Sequence, residues 1–224
     1  MSDHRFVHAL ALGLDPGWRR LPLEGREKGA LEFTAAFANA GEVTCHGYSM
    51  IGLKAGVDIL LWSLAPSFEA LENRAAALLR TGLGGWMSVR HSFVGIIQPS
   101  QYVKRPNAQE QSLFSGERSR YLVVYPFTKA TDWYLLGRDA RQGIMNEHIR
   151  IGHQFPEVRQ LLANSFGVDD MDFLVAYETD DLVRFSDLVR ALRASDSRRS
   201  TLSDTPILTG VHRPMPEIVR MLGA

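Results

Sequence analysis

The chain has 224 residues, enough for one large domain or two small ones, and its 45% apolar content suits a globular protein with a buried core. Lysine and arginine number 25 and are matched by 25 acidic residues, which excludes a general electrostatic affinity for nucleic acid or anionic membranes. The single cysteine, Cys45, excludes an intrachain disulfide framework and suits a reducing, cytoplasmic setting; with no basic partner evident nearby it reads as a strand thiol rather than a nucleophile.

Met1-Ser-Asp-His-Arg5 contains an acidic residue and the apolar run after it is short and strand-like, so neither a signal peptide nor a membrane span is expected. Residues 4–14 alternate as a strand that ends at the turn Asp15-Pro-Gly17. The spacing of Leu31, Phe33, Ala36 and Phe37 predicts a helix over 24–39, with Gly41 just past its end. Strands are expected over 43–51 and 57–65, joined by Lys54-Ala-Gly56. A second helix opens at Pro66-Ser67 and stops near Gly82, and a strand follows over 86–97. This is the β-α-β-β-α-β order of a ferredoxin-like unit.

Residues 98–118 are polar, lack an apolar period and read as a linker, dividing the chain into 1–98, 99–118 and 119–224. The second part repeats the theme with insertions. A strand over 121–127 leads to an aromatic turn at 130–134 and a helix over 138–152. A further helix is expected from Pro156 to about Gly167, then a strand over 171–178. A helix over 181–192 has Thr179 as its N-cap and Leu182, Phe185, Leu188, Val189 and Leu192 on one face. A strand over 207–212 and a short helix over 214–222 finish the chain.

On the helix 138–152, Arg141, Ile144, Met145, His148, Ile151 and Gly152 share a face at 3.6 residues per turn, and His153 points elsewhere. A lone histidine on an apolar stripe is more often a packed core residue than a ligand. If His148 binds metal, one axial bond to haem iron suits it better than zinc, because zinc helices pair histidines at i,i+4. On the strand before it, Tyr121, Val123, Tyr125, Phe127 and Lys129 share one face, with Tyr125 and Lys129 about 13 Å apart. A core aromatic and a surface lysine would be the ordinary reading of that pair. Serine-hydrolase, P-loop and Rossmann motifs are absent, and Gly82–Gly85 reads as a helix-ending turn.

Taken together, Tyr125-Pro-Phe-Thr-Lys129, Trp133-Tyr134, Met145-Asn-Glu-His148, Phe166-Gly-Val-Asp-Asp170, Phe173-Leu-Val-Ala-Tyr-Glu178, Leu192-Arg193 and Asp204-Thr-Pro206 resemble the chlorite dismutase superfamily of haem proteins. The resemblance runs through most of the second half. It implies an α+β fold of two ferredoxin-like halves forming a dimeric α+β-barrel-like subunit, with haem in the C-terminal half. It makes His148 the proximal iron ligand and sets Asp196 where a carboxylate would orient the imidazole. True chlorite dismutases carry a distal arginine seven residues before the glycine of Gly-x-Asp-Asp; here that position is Gln160.

A distal glutamine with Tyr125 and Lys129 is similar to the coproheme decarboxylase branch. That likeness implies oxidative decarboxylation of two propionates of coproheme III by hydrogen peroxide, giving haem b. Tyr125 would carry the radical, Lys129 would hold a propionate and Gln160 would face the distal ligand, with Arg193 as a further porphyrin contact. The family's upstream propionate arginine is replaced by Gln111, with Arg118 and Arg120 nearer the strand; Arg198 and Arg199 sit a residue or more from the expected downstream place. A chlorite dismutase-like or peroxidase-like haem enzyme, and a haem-binding protein without turnover, are the alternatives. Chains of this length resemble the homopentameric members, and no nucleic-acid partner is implied.

Overall fold

The computed structural model describes residues 6–98, 102 and 117–224; the first five residues and most of the polar linker, Gln111 included, lie outside the described residues. Contacts divide the chain into two compact units, Met1–Ile97 with Leu208–Ala224, and Gln98–Ile207.

In the first unit, β1 (Phe6–Leu14) lies between β3 (Val57–Ala65) and β4 (Met87–Ile96), and β2 (Thr44–Lys54) flanks β3, all antiparallel. The β2–β3 hairpin turns at Ala55-Gly56, where Gly56 has φ +75°, a conformation that costs a residue without Cβ nothing. Helices α1 (Leu23–Ala38) and α2 (Phe68–Leu79) set Ala30, Phe33 and Leu78 into one core with Leu10, Leu12, Ile59 and Leu61. Ser67 caps α2 by accepting from the Ala70 N–H. Leu31, expected on the apolar side of α1, is 71% exposed. The buried side of α1 runs instead through Gly29, Ala30 and Phe33, and a Cβ on Gly29 would lie 2.9 Å from the Leu83 nitrogen.

The last strand, β9 (Leu208–His212), pairs with β2 through Tyr48–His212 and Ser49–Val211. Helix α6 (Met215–Met221) then buries Met215, Ile218 and Val219 in the core under β1 and β3, and Arg26 donates to the Gly223 carbonyl. These residues belong with the first unit, not with the second half where chain order alone would group them.

The second unit also builds an antiparallel sheet, β6 (Arg159–Asn164), β7 (Phe173–Thr179), β5 (Tyr121–Lys129) and β8 (Thr201–Ser203) in spatial order. Residues 156–167 are therefore not a helix. Buried Leu161 and Ala163 alternate with Gln160 and Leu162, a period of two that the ladder to β7 rewards. Gly167, at φ +69°, lies in the hairpin loop that the Ser165 N–H closes on the Asp172 carbonyl at 2.8 Å. With β6 in place, the β-α-β-β-α-β order recurs, so each unit is ferredoxin-like and the α+β class expected from the sequence holds.

Helices α3 (Thr131–Leu135), α4 (Arg138–Gly152) and α5 (Leu182–Arg193) connect these strands. Helix α5 packs Leu188 against Val123, Val175 and Tyr177. Its N-cap is Asp181, accepting from Val183 and Arg184; Thr179, expected in that role, instead bonds the backbone of Asp181. No residue of α4 is buried, although its stripe of Ile144, Met145, His148 and Ile151 is apolar and half-covered. A helix in this state presents an apolar face with room for more cover.

Candidate functional site

His148 projects from the half-covered face of α4, and His153 is exposed, as the helical spacing requires. The His148 Nδ1 lies 3.1 Å from the Ser197 Oγ. Asp196, the carboxylate expected to orient it, is exposed and pairs with Arg199 at 3.5 Å, while its N–H donates to Glu147. The 3-10 turn Asp196–Ser200 turns Ser197 inward and its neighbour outward. Burial, and then the charge of Lys129, push the imidazole down to about 4 against the weaker pull of Glu147, so it is neutral near pH 7.

Lys129, at the end of β5, reaches the same turn. Its Nζ lies 3.4 Å from the Ser197 carbonyl and 4.3 Å from the centroid of the Trp133 ring. Its backbone N–H donates to Asp172, which also accepts from the Tyr134 hydroxyl, so the aromatic turn and the hairpin loop hold the strand end. Burial, then the Arg198 charge, bring the ammonium down to about 8, with Asp172 opposing. Ser197 thus brings Lys129 and His148 together.

Tyr125 lies four residues earlier on β5, opposite Val175, and its ring stacks on Tyr177 at 6.1 Å between centroids and 27° between planes. Burial, the neighbouring Tyr177 and a hydrogen bond to its hydroxyl hold the Tyr125 phenol well above its ordinary range; Asp204 adds to this and Arg193 opposes it. A recess of about 160 Å³ opens beside it, lined by Phe185, Ser186, Val189, Arg193, Asp204 and Ile207. Asp204 draws in two guanidinium groups, Arg198 at 2.6 Å and Arg193 at 3.6 Å.

Gln160 stands directly across from Tyr177 on β6, and Tyr177 across from Val123. Cross-strand partners share a face, so Gln160, Tyr177 and Tyr125 look out of one side of the sheet. Arg159, one residue away on a strand, looks out of the other. Its guanidinium is 2.8 Å from Glu178, which also pairs with Arg118 at 3.5 Å. Arg118 is therefore committed inside the sheet and is not available as a propionate anchor.

The site residues named from the sequence thus fall in two groups, His148 with Lys129 at the Ser197 turn, and Tyr125 with Arg193 at the recess. Gln160 shares the face of Tyr125, across from Tyr177. Ser195, Ser197, Tyr177 and Asp204 have no role assigned from the sequence; Tyr177 and Asp204 stand within the motifs Phe173–Glu178 and Asp204–Pro206, and the two serines stand in none.

Residues 26–213 match the family model described as chlorite dismutase. The chain belongs to the chlorite dismutase family. Within that family it is 31% identical, over 177 residues, to the coproheme decarboxylase of Mycolicibacterium smegmatis, covering 78% of this chain and 75% of the relative. Among solved structures, a mutant chlorite dismutase from Candidatus Nitrospira defluvii superposes with a TM-score of 0.90 at 26% identity, covering 100% of this chain and 97% of its own. The same organism's chlorite dismutase in complex with imidazole gives 0.88 at 26% identity, covering 98% and 95%.

The donor set fits an iron porphyrin. A neutral imidazole, engaged at Nδ1 by Ser197, stands on the half-covered apolar face of α4. Among the described residues no cluster of three or more His, Cys, Asp or Glu could hold a bare metal ion.

Proposed function

We propose that the protein is a coproheme decarboxylase, converting two propionates of coproheme III to vinyl groups at the expense of hydrogen peroxide and releasing haem b. The family match and the relatives together support a haem-related enzyme of this family. The choice of coproheme as substrate is supported by one observation: the face that carries Tyr125 presents a neutral Gln160, while the adjacent Arg159 is locked to Glu178 on the opposite face. No guanidinium from this strand stands ready to retain an anionic chlorine oxide there.

Each propionate loses one hydrogen from its β-carbon and leaves its carboxylate as carbon dioxide. The two electrons released reduce one hydrogen peroxide, which with one solvent proton and the hydrogen lost becomes two waters. The bound iron porphyrin supplies the peroxide-derived oxidising equivalent. Tyr125, oxidised to its radical, takes the hydrogen; Arg193 holds the reacting carboxylate beside it, and Lys129 holds the second. Gln160 would hydrogen-bond the incoming oxidant, and His148 would hold the iron through its ring nitrogen. Among the described residues no helix is long and apolar enough to cross a membrane. A cytoplasmic homopentamer is the assembly we propose from chain length and family likeness.

The test is chromatography and mass spectrometry of the porphyrin after titrating the coproheme complex with peroxide. Wild type should pass through a three-propionate intermediate to haem b. Tyr125→Phe keeps the ring and nearly all the volume, so it should bind coproheme with near-normal affinity and form neither product. Wild-type rates of haem b formation by the Phe variant would remove Tyr125 from the mechanism. Unchanged coproheme in the wild type would favour a binding protein without turnover.

A further inference from the structure

The hydroxyl that meets His148 is one link in a chain of hydrogen bonds whose direction is fixed at its far end. The Ser195 Oγ–H donates to the Leu192 carbonyl at 2.7 Å, and a carbonyl can only accept. Ser195 has a single hydroxyl proton and has spent it, so in its 2.9 Å contact with Ser197 it is the acceptor and Ser197 the donor. Ser197 has then spent its own proton. In the 3.1 Å contact with His148 the serine oxygen must accept, and Nδ1 must carry the hydrogen. Both serines are about 5% exposed, so water competes little for these groups. The Lys129 ammonium approaches the backbone carbonyl of Ser197, not its hydroxyl, and leaves the chain intact.

We infer that Ser195 and Ser197 are positioning residues that set the tautomer of His148, keeping hydrogen on Nδ1 and presenting the Nε2 lone pair outward from α4 as an axial donor. This rests on the coproheme reading only for the identity of the acceptor metal; the tautomer is a property of the protein alone. The relay is built of neutral groups and ends on a peptide carbonyl. A carboxylate in the same place would draw the Nδ1 proton and raise the basicity of the ligand. The two hydroxyls orient the ring and leave it a plain neutral imidazole.

The test is long-range nitrogen–proton correlation spectroscopy of His148 in the porphyrin-free full chain near pH 7. The wild type should show Nδ1 protonated and Nε2 bare. Ser195→Ala does not touch the imidazole, yet it frees the Ser197 hydroxyl to donate to Nδ1. That variant should lose the wild-type pattern and shift toward the Nε2–H form, while Ser195→Thr, which restores a hydroxyl, should recover it. Ser197→Ala should lose the orienting bond outright. In the coproheme complex, Ser195→Ala and Ser197→Ala should each displace the iron–imidazole stretch in resonance Raman spectra, with the porphyrin still bound. A wild-type His148 protonated at Nε2, or a tautomer unmoved in both alanine variants, overturns the relay. If the wild type fails to bind coproheme while the tautomer behaves as described, the proposed function falls and the relay stands.

Discussion

Tyr125 and Lys129 lie on one strand but are prepared differently by their surroundings. Burial and Tyr177 keep the phenol protonated throughout the neutral range, so any oxidation of Tyr125 must shed its proton at that moment, and the stacked Tyr177 hydroxyl is the group at hand to share it. Lys129 has its ammonium lowered to about 8, chiefly by burial. The folded value lies below the ordinary lysine value of 10.5, so the unfolded chain binds more protons between about pH 8 and 10.5. The cost of burying this cation is therefore fully present below about 8 and fades as the pH rises through that window. Its use to a ligand runs the other way. Coproheme affinity should fall by roughly tenfold between pH 7 and 9.5 in the wild type as a charge-assisted bond is lost, and should be flat over the same range in Lys129→Met. Fluorescence titration of the porphyrin-free protein reads this, and an equal decline in both proteins would take Lys129 off the carboxylate. At Gln160, substitution by arginine adds a cation to the face of Tyr125. Gln160→Arg should raise oxygen evolution from chlorite without aiding decarboxylation, and an oxygen electrode showing no change would mean that position 160 does not face the distal side.

At the level of elements, β6 decides where Gln160 points, and β6 is held by charge as well as by its ladder. Arg159 and Arg118 converge on Glu178, whose side chain is fully buried. Removing the carboxylate takes away the anion that both guanidinium groups share, and breaking a buried ion cluster in this way costs about 3–5 kcal/mol. Glu178→Gln should lower the unfolding free energy by about that amount in urea. It should also loosen the β6–β7 register, so coproheme binding by the variant should weaken at temperatures where the fold persists. A loss under about 1 kcal/mol would show the cluster to be solvated and not a strut for β6.

For the whole molecule, the chain returns to its beginning. After the second unit, β9 completes the edge at β2 and α6 closes the core beneath Phe33 and Leu12. Ile218 has no exposed surface, and Ile218→Ala should cost about 2–5 kcal/mol through the cavity it leaves. The loss belongs to the first unit despite the position near the C-terminus. Hydrogen exchange should therefore show protection falling in β1, β2 and β3, whereas β5 and β7 hold theirs. The reverse pattern would place α6 with the second unit in solution.

What the sequence determined by itself is whatever a local period can encode. The stripe from Arg141 to Gly152 that carries His148, and the strand face that carries Tyr125 and Lys129, follow from 3.6- and 2-residue repeats and were legible before any contact was known. The seven motifs around them were legible for the same reason, each being short and contiguous. Contacts between distant residues decided the rest. Val158-Arg-Gln-Leu-Leu-Ala reads equally as a buried helix turn or a strand, and only the ladder to β7 makes it β6. Asp196 and Ser197 are neighbours, and a carboxylate is the more obvious partner for an imidazole; the 3-10 turn packed against α4 gives that place to the serine. Arg118 lies beside its strand in the sequence, and its ion pair is with Glu178, sixty residues on. In each case the deciding energy comes from pairing or burying groups far apart in sequence, which no window along the chain contains.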